Sequence, residues 1–118
     1  MRGSLLALLL LLPPAAAAHP HNAGECREGG DFIRNAALSR DSGYSREFFL
    51  DRLEADFVAI RAFPPALRWF VRDPDDERFL RAEVETVFDA PQSSERHRAD
   101  FLQRCIRRAE DLTAAARS

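Results

Sequence analysis

An all-α fold, a compact bundle or orthogonal array of four main helices plus a short one, is predicted by three observations. Apolar residues recur at helical spacing in four segments, prolines and cap-forming residues punctuate those segments, and no alternating apolar and polar run is long enough for a strand. The 118 residues, 46% hydrophobic and 31% charged, suffice for a single domain.

The first 18 residues read as a secretory signal peptide: a basic Arg2, an apolar run from Leu5 to Leu12, a break at Pro13-Pro14 and small residues through Ala18. The apolar run is far shorter than the ~20 residues a spanning helix needs, so no stable membrane insertion is expected after cleavage before His19. Residues 19–30 are Gly-rich and short of apolar side chains, which predicts an extended arm; residues 31–118 then form one helical domain.

Within that domain, Phe32, Ile33, Ala36 and Ala37 share a face of the first helix, which stops at Asp41-Ser42-Gly43. Ser45 caps the second, whose stripe is Phe49, Leu50, Leu53, Phe57 and Ile60, and Pro64-Pro65 ends it. A short helical stretch places Leu67, Phe70 and Val71 on one side. Asp73-Pro74 and the following acids open the next helix, with Phe79, Leu80, Val84, Val87 and Phe88 inward. Ser93 or Ser94 caps the last, whose inward face is Phe101, Leu102, Cys105, Ile106, Ala109 and Leu112.

Two cysteines in an exported chain predict one disulfide, Cys26 to Cys105, tying the arm to the last helix. In the loop-entropy model such a long closure restricts the unfolded chain by about 4.5 kcal/mol. The alternatives are an intermolecular bridge, free thiols or redox chemistry, the last disfavoured because no second cysteine lies nearby in sequence.

All 17 basic residues are arginine against 19 acidic ones, a net charge of −2. No positive excess exists to hold a nucleic-acid backbone or an anionic membrane. His19-Pro20-His21 lacks the backbone N–H that an amino-terminal copper site deprotonates, because Pro20 has none. The Asp73–Glu77 acids fail a calcium loop, with Arg78 where Gly is needed and Val84 where Glu is needed. No G-x-S-x-G occurs, and His97 has no recognisable partner. No metal, cofactor or catalytic residue is therefore assigned.

Two polar constellations stand out. Arg40 falls inside the first helix's apolar stripe, so a charge there needs a partner; Asp56 is the first candidate, leaving Asp41 to the turn, and a ligand-facing role for Arg40 is the alternative. Trp69 lies off its segment's apolar side between Arg68 and Arg72, a combination favoured at binding hot spots, while packing beneath the Pro64-Pro65 bend is the structural alternative. Phe48 and Val58 also leave their helix's stripe, which points to apolar surface for a partner. Arg104, Arg107 and Arg108 read as a solvated face near the last helix end.

The run Ala36-Ala37-Leu38-Ser39-Arg40-Asp41-Ser42-Gly43, with Phe63-Pro64, Val87-Phe88, Pro91 and the late Cys105, resembles small exported helical proteins of proteobacteria that carry an R-D-x-G turn and a cysteine in the last helix. The resemblance implies a periplasmic helical fold and brings no activity, cofactor or site residue with it. The functional expectation is a non-catalytic protein-binding module, secreted or periplasmic, whose partner is another protein met through Arg68, Trp69 and Arg72. An acid or stress chaperone and a small hydrolase or lyase are the alternatives.

Overall fold

The computed structural model describes residues 20–118; the signal-peptide reading of residues 1–18 and the role of His19 lie outside them. Four helices follow in order: α1 Ala23–Asp41, α2 Arg46–Arg61, α3 Pro74–Asp89 and α4 Ser94–Arg117, with a single 3-10 turn Pro65–Leu67 after α2. The described residues contain no strand, and none of their helices is long and apolar enough to cross a membrane.

Each start has a side-chain reason. Ser45, Asp73 and Ser93 accept hydrogen bonds from the backbone N–H three residues on, and Pro74 occupies the first turn of α3. Gly43, with φ of 100°, makes the turn after α1 in a conformation that costs other residues energy.

The extended arm expected over residues 19–30 is instead helical from Ala23. Asn22 and Glu25 form a reciprocal capping box, Asn22 Oδ1 accepting from Glu25 N at 2.8 Å and Glu25 Oε1 from Asn22 N at 2.9 Å. The glycines that suggested an arm serve helix contact. A Cβ on Gly29 would stand 2.7 Å from the Phe101 ring and 2.9 Å from Phe70, so only a glycine lets those rings rest on α1. The helical cost of such a glycine, about 1 kcal/mol, is offset by that packing.

Helices α1 and α4 run antiparallel, joined by the Cys26–Cys105 disulfide with Cα atoms 5.7 Å apart and, farther along, by Asp31–Arg98 at 2.9 Å and Glu95–Arg34 at 2.8 Å. Both sulfurs belong to fully buried residues in one core with Ile33, Ala36, Ala37, Leu80, Val84, Val87 and Phe101. Helix α3 bridges the two halves, packing on α1 and on α2.

The expected short helical stretch is the 3-10 turn, which stops before Phe70 and Val71. Arg68 is extended, Phe70 takes φ of 46°, and Val71 N donates to Trp69 O across it in a three-residue turn. Phe70 and Val71 still point inward, while Leu67, expected beside them, is 72% exposed because the turn ends before it can reach the core.

Candidate functional site

The side of the molecule between α1 and α2 is open. α2 packs closely on α3 and meets α1 through side chains such as Phe32 and Phe49, with three confluent depressions along its length. The first, near Tyr44, holds Ser39, Phe48 and Arg52. The second holds Phe32, Phe49 and Asp56, and the third, of about 260 Å³, runs from Leu53 to Ile60 and ends at Trp69. Shared residues Phe49, Arg52, Phe32, Leu53 and Asp56 make these one groove.

Its floor is aromatic. Phe32 stands 6.0 Å from Phe49 and 5.5 Å from Trp69 between ring centroids, and Phe49 stands 5.8 Å from Phe88. These tilted contacts hold the rings in register. Trp69 remains 37% exposed, and Phe48 and Val58 are 46% and 63% exposed, as their place off the apolar stripe suggested.

Arg68 and Arg72, expected beside Trp69 as binding groups, hold its loop. Arg68 donates to the carbonyls of Phe63 at 2.8 Å, Arg72 at 2.8 Å and Arg61 at 3.2 Å. Arg72 pairs with Glu25 of the α1 capping box, and its backbone N–H donates to Asp76 Oδ2 at 3.0 Å. Of the three predicted residues, Trp69 alone lines the groove.

Arg40 does not meet Asp56. It closes the far end of the core: Nη1 donates to Val87 O at 2.7 Å, Nη2 to Gln92 O at 2.7 Å, and the guanidinium holds Asp41 Oδ1 at 2.9–3.0 Å. The sequence misassigns the pair because the approach of α1 to the end of α3 and the α3–α4 connection, whose Val87 and Gln92 carbonyls Arg40 ties down, is invisible to helical spacing. Asp41 is therefore the partner, and Asp56 is left on the groove wall.

His97, without a partner in the sequence, is buried beside Arg40. Its Nε2 accepts from Gln92 N at 2.8 Å and from Arg40 Nη1 at 3.2 Å, so that lone pair is committed and the ring is neutral. Burial, and then the Arg40 charge, push its pKa below the ordinary histidine value.

A second buried polar cluster escaped the sequence reading. His21 Nε2 donates to Phe70 O at 2.6 Å, its ring stacks on Phe70 with centroids 3.9 Å apart, and Nδ1 faces Arg108 at 3.5 Å. Arg108 binds the buried Asp76 at 2.9 Å and lies 4.8 Å over the Phe79 ring. Burial lowers the His21 pKa, outweighing the Phe70 carbonyl and Asp76, which raise it. Arg108, read as solvated, is thus structural, and Arg104 is likewise engaged by Glu83 at 2.7 Å. The i, i+4 step from Cys105 to residue 109 brackets Arg108 with inward positions, a signal available to helical spacing.

Comparison of the chain with protein-family models, with curated proteins and with solved structures found no match.

Proposed function

We propose that the protein is an exported, non-catalytic protein-binding module whose docking surface is the α1–α2 groove closed at one end by Trp69. The carrying observation is the aromatic floor between α1 and α2, which meet through rings and not through close backbone packing, with Trp69 partly exposed at its end. Tryptophan and its neighbours in such a trough supply large apolar contact at little entropic cost. Arg68 and Arg72 support this reading indirectly, by fixing the loop that presents Trp69. The buried disulfide and the leader-like segment favour the periplasm or the extracellular space, in line with the resemblance to exported proteobacterial proteins.

Capture of a partner from an envelope extract by the oxidised protein tests this. Trp69→Ala is expected to abolish capture while the protein keeps a cooperative melt. Equal loss of melting temperature and capture for Trp69→Ala, with undiminished capture by Phe48→Ser, makes Trp69 a core residue and removes the groove reading.

A second reading, an acid-opened chaperone, is favoured by His21 and His97, two buried neutral histidines that must charge as the chain is acidified. It requires binding of an apolar dye and suppression of client aggregation on acidification; a flat dye signal down to strongly acid pH removes it. The hydrolase or lyase reading draws no support from His97, whose Nε2 lone pair already accepts two hydrogen bonds.

A further inference from the structure

On α2 the exposed residues Phe48, Arg52, Ala55 and Ala59 recur at steps of four, three and four, and the C-cap residue Ala62 continues the spacing. That is the spacing of a two-helix seam. Among the described residues this face stays exposed, with Phe48 stacked on Tyr44 at 5.3 Å between ring centroids and Ala59 bordering the groove, while the buried face of α2 is Leu53 and Phe57 and the helix packs on α3. Small residues at three of these positions let a second helix approach closely.

Arg52 and Asp56 add a directional clue. They lie one turn apart on the groove wall, yet form no ion pair with each other or with any other described residue, whereas Arg96 and Asp100, at the same spacing on α4, do so at 3.3 Å. The Arg52 guanidinium sits only loosely, 5.9 Å over the Phe48 ring. Basic before acidic at i, i+4 is also the weaker order within one helix.

From these observations, and resting on the reading of this face as a docking surface, we propose that its occupant is a second copy of the chain, bound as a symmetric antiparallel pair of α2 helices. A two-fold axis beside residues 53 and 54 sets Phe48 against the second copy's Ala59 and Arg52 against its Ala55, with the guanidinium on the neighbouring Asp56. By symmetry each contact occurs twice. Large residues then meet small ones, each seam arginine finds a carboxylate, and the 16-residue helix supplies a contact of about 24 Å at 1.5 Å per residue. The paired helix covers the groove mouth and the exposed edge of Phe48. A partner of different sequence has no reason to match both signs of charge at these two positions; an identical helix running the other way matches them automatically.

Sedimentation of the oxidised protein across micromolar to near-millimolar concentration decides the matter. The wild type is expected to be a dimer. Arg52→Asp or Asp56→Arg alone puts like charges together at two symmetric places and is expected to weaken dimerisation by about 100-fold or more. The double variant Arg52→Asp/Asp56→Arg restores the dimer, because the pairs are re-formed with signs exchanged. Neither side chain forms an ion pair among the described residues, so all three variants are expected to melt as the wild-type monomer does, and circular dichroism verifies this. A wild type that stays monomeric, single variants that still dimerise, or a double variant that stays monomeric each overturns the proposal. A monomeric wild type that still captures a foreign chain through Trp69 leaves the docking reading standing; loss of that capture as well removes both.

Discussion

The two flanks of α1 are built on opposite principles. Towards α4 the helix carries Cys26, Gly29, Gly30, Ile33 and Ala37, all buried, and the partner helix is pressed against its backbone and bonded to it. Towards α2 it carries Phe32, and the neighbouring helix stands off behind a trough of rings. Small residues allow close approach and so concentrate cohesion; large rings on a shared floor hold helices apart and leave apolar surface available. One flank therefore concentrates cohesion, and the other leaves aromatic surface exposed.

The largest effect should come from the closed flank. Replacing Cys26 and Cys105 by serine, or reducing them, is expected to cost about 2–5 kcal/mol in urea unfolding; a loss under 1 kcal/mol would place the cohesion elsewhere. Gly29→Ala is next, expected to destabilise by about 1–3 kcal/mol through overpacking on Phe101 and Phe70. Gly30→Ala meets only ordinary contacts, the nearest 3.5 Å away at Arg98, and is expected to stabilise by about 0.5–1 kcal/mol through helix propensity. Opposite signs at adjacent residues sharpen the contrast; equal signs break it.

Acidification probes the clusters at the two ends. His21 and His97 have lowered pKa values in the folded protein, chiefly through burial, so the unfolded chain takes up protons first. Their contribution is intact above the ordinary histidine pKa and is lost as pH falls through it towards the lowered folded values. Melts between pH 7.5 and 4.5, values spanning the ordinary histidine range, should show stability falling with pH, with a shallower fall in His21→Gln. An unchanged slope would show that His21 does not titrate with unfolding.

The smallest effects test the open side and the Arg40 pairing. Asp56→Ala should leave the monomer's melting unchanged within about 0.5 kcal/mol. Asp41→Ala should cost about 0.5–1 kcal/mol, since its carboxylate holds Arg40 at 2.9 Å. Reversal of that order would restore Asp56 as the partner of Arg40.

Much of this architecture can be read from residue order because caps and stripes are local. Ser45, Asp73 and the Phe49–Ile60 stripe act within a few residues, and helix starts depend on nothing farther away. Phe48 and Val58 were legible as exposed for the same reason. The start of α1 was misread although Asn22 and Glu25 carry the cap signal, because glycines were weighed by propensity, and propensity yields when a ring from α4 needs the space. His21, Asp76 and Arg108 come from three separate elements, so no local pattern announces their meeting, although helical spacing does place Arg108 between inward positions.

By itself the amino-acid sequence determined the helical class, most helix boundaries, and the single possible intramolecular pairing of two cysteines, since these follow from period, capping chemistry and count. Only the tertiary structure decided that Arg40 serves the α3–α4 connection, that Arg68 and Arg72 brace a loop, and that α2 stands away from α1. Those outcomes depend on which faces approach and how closely, a balance of ring size against backbone contact that is set between helices and not within them.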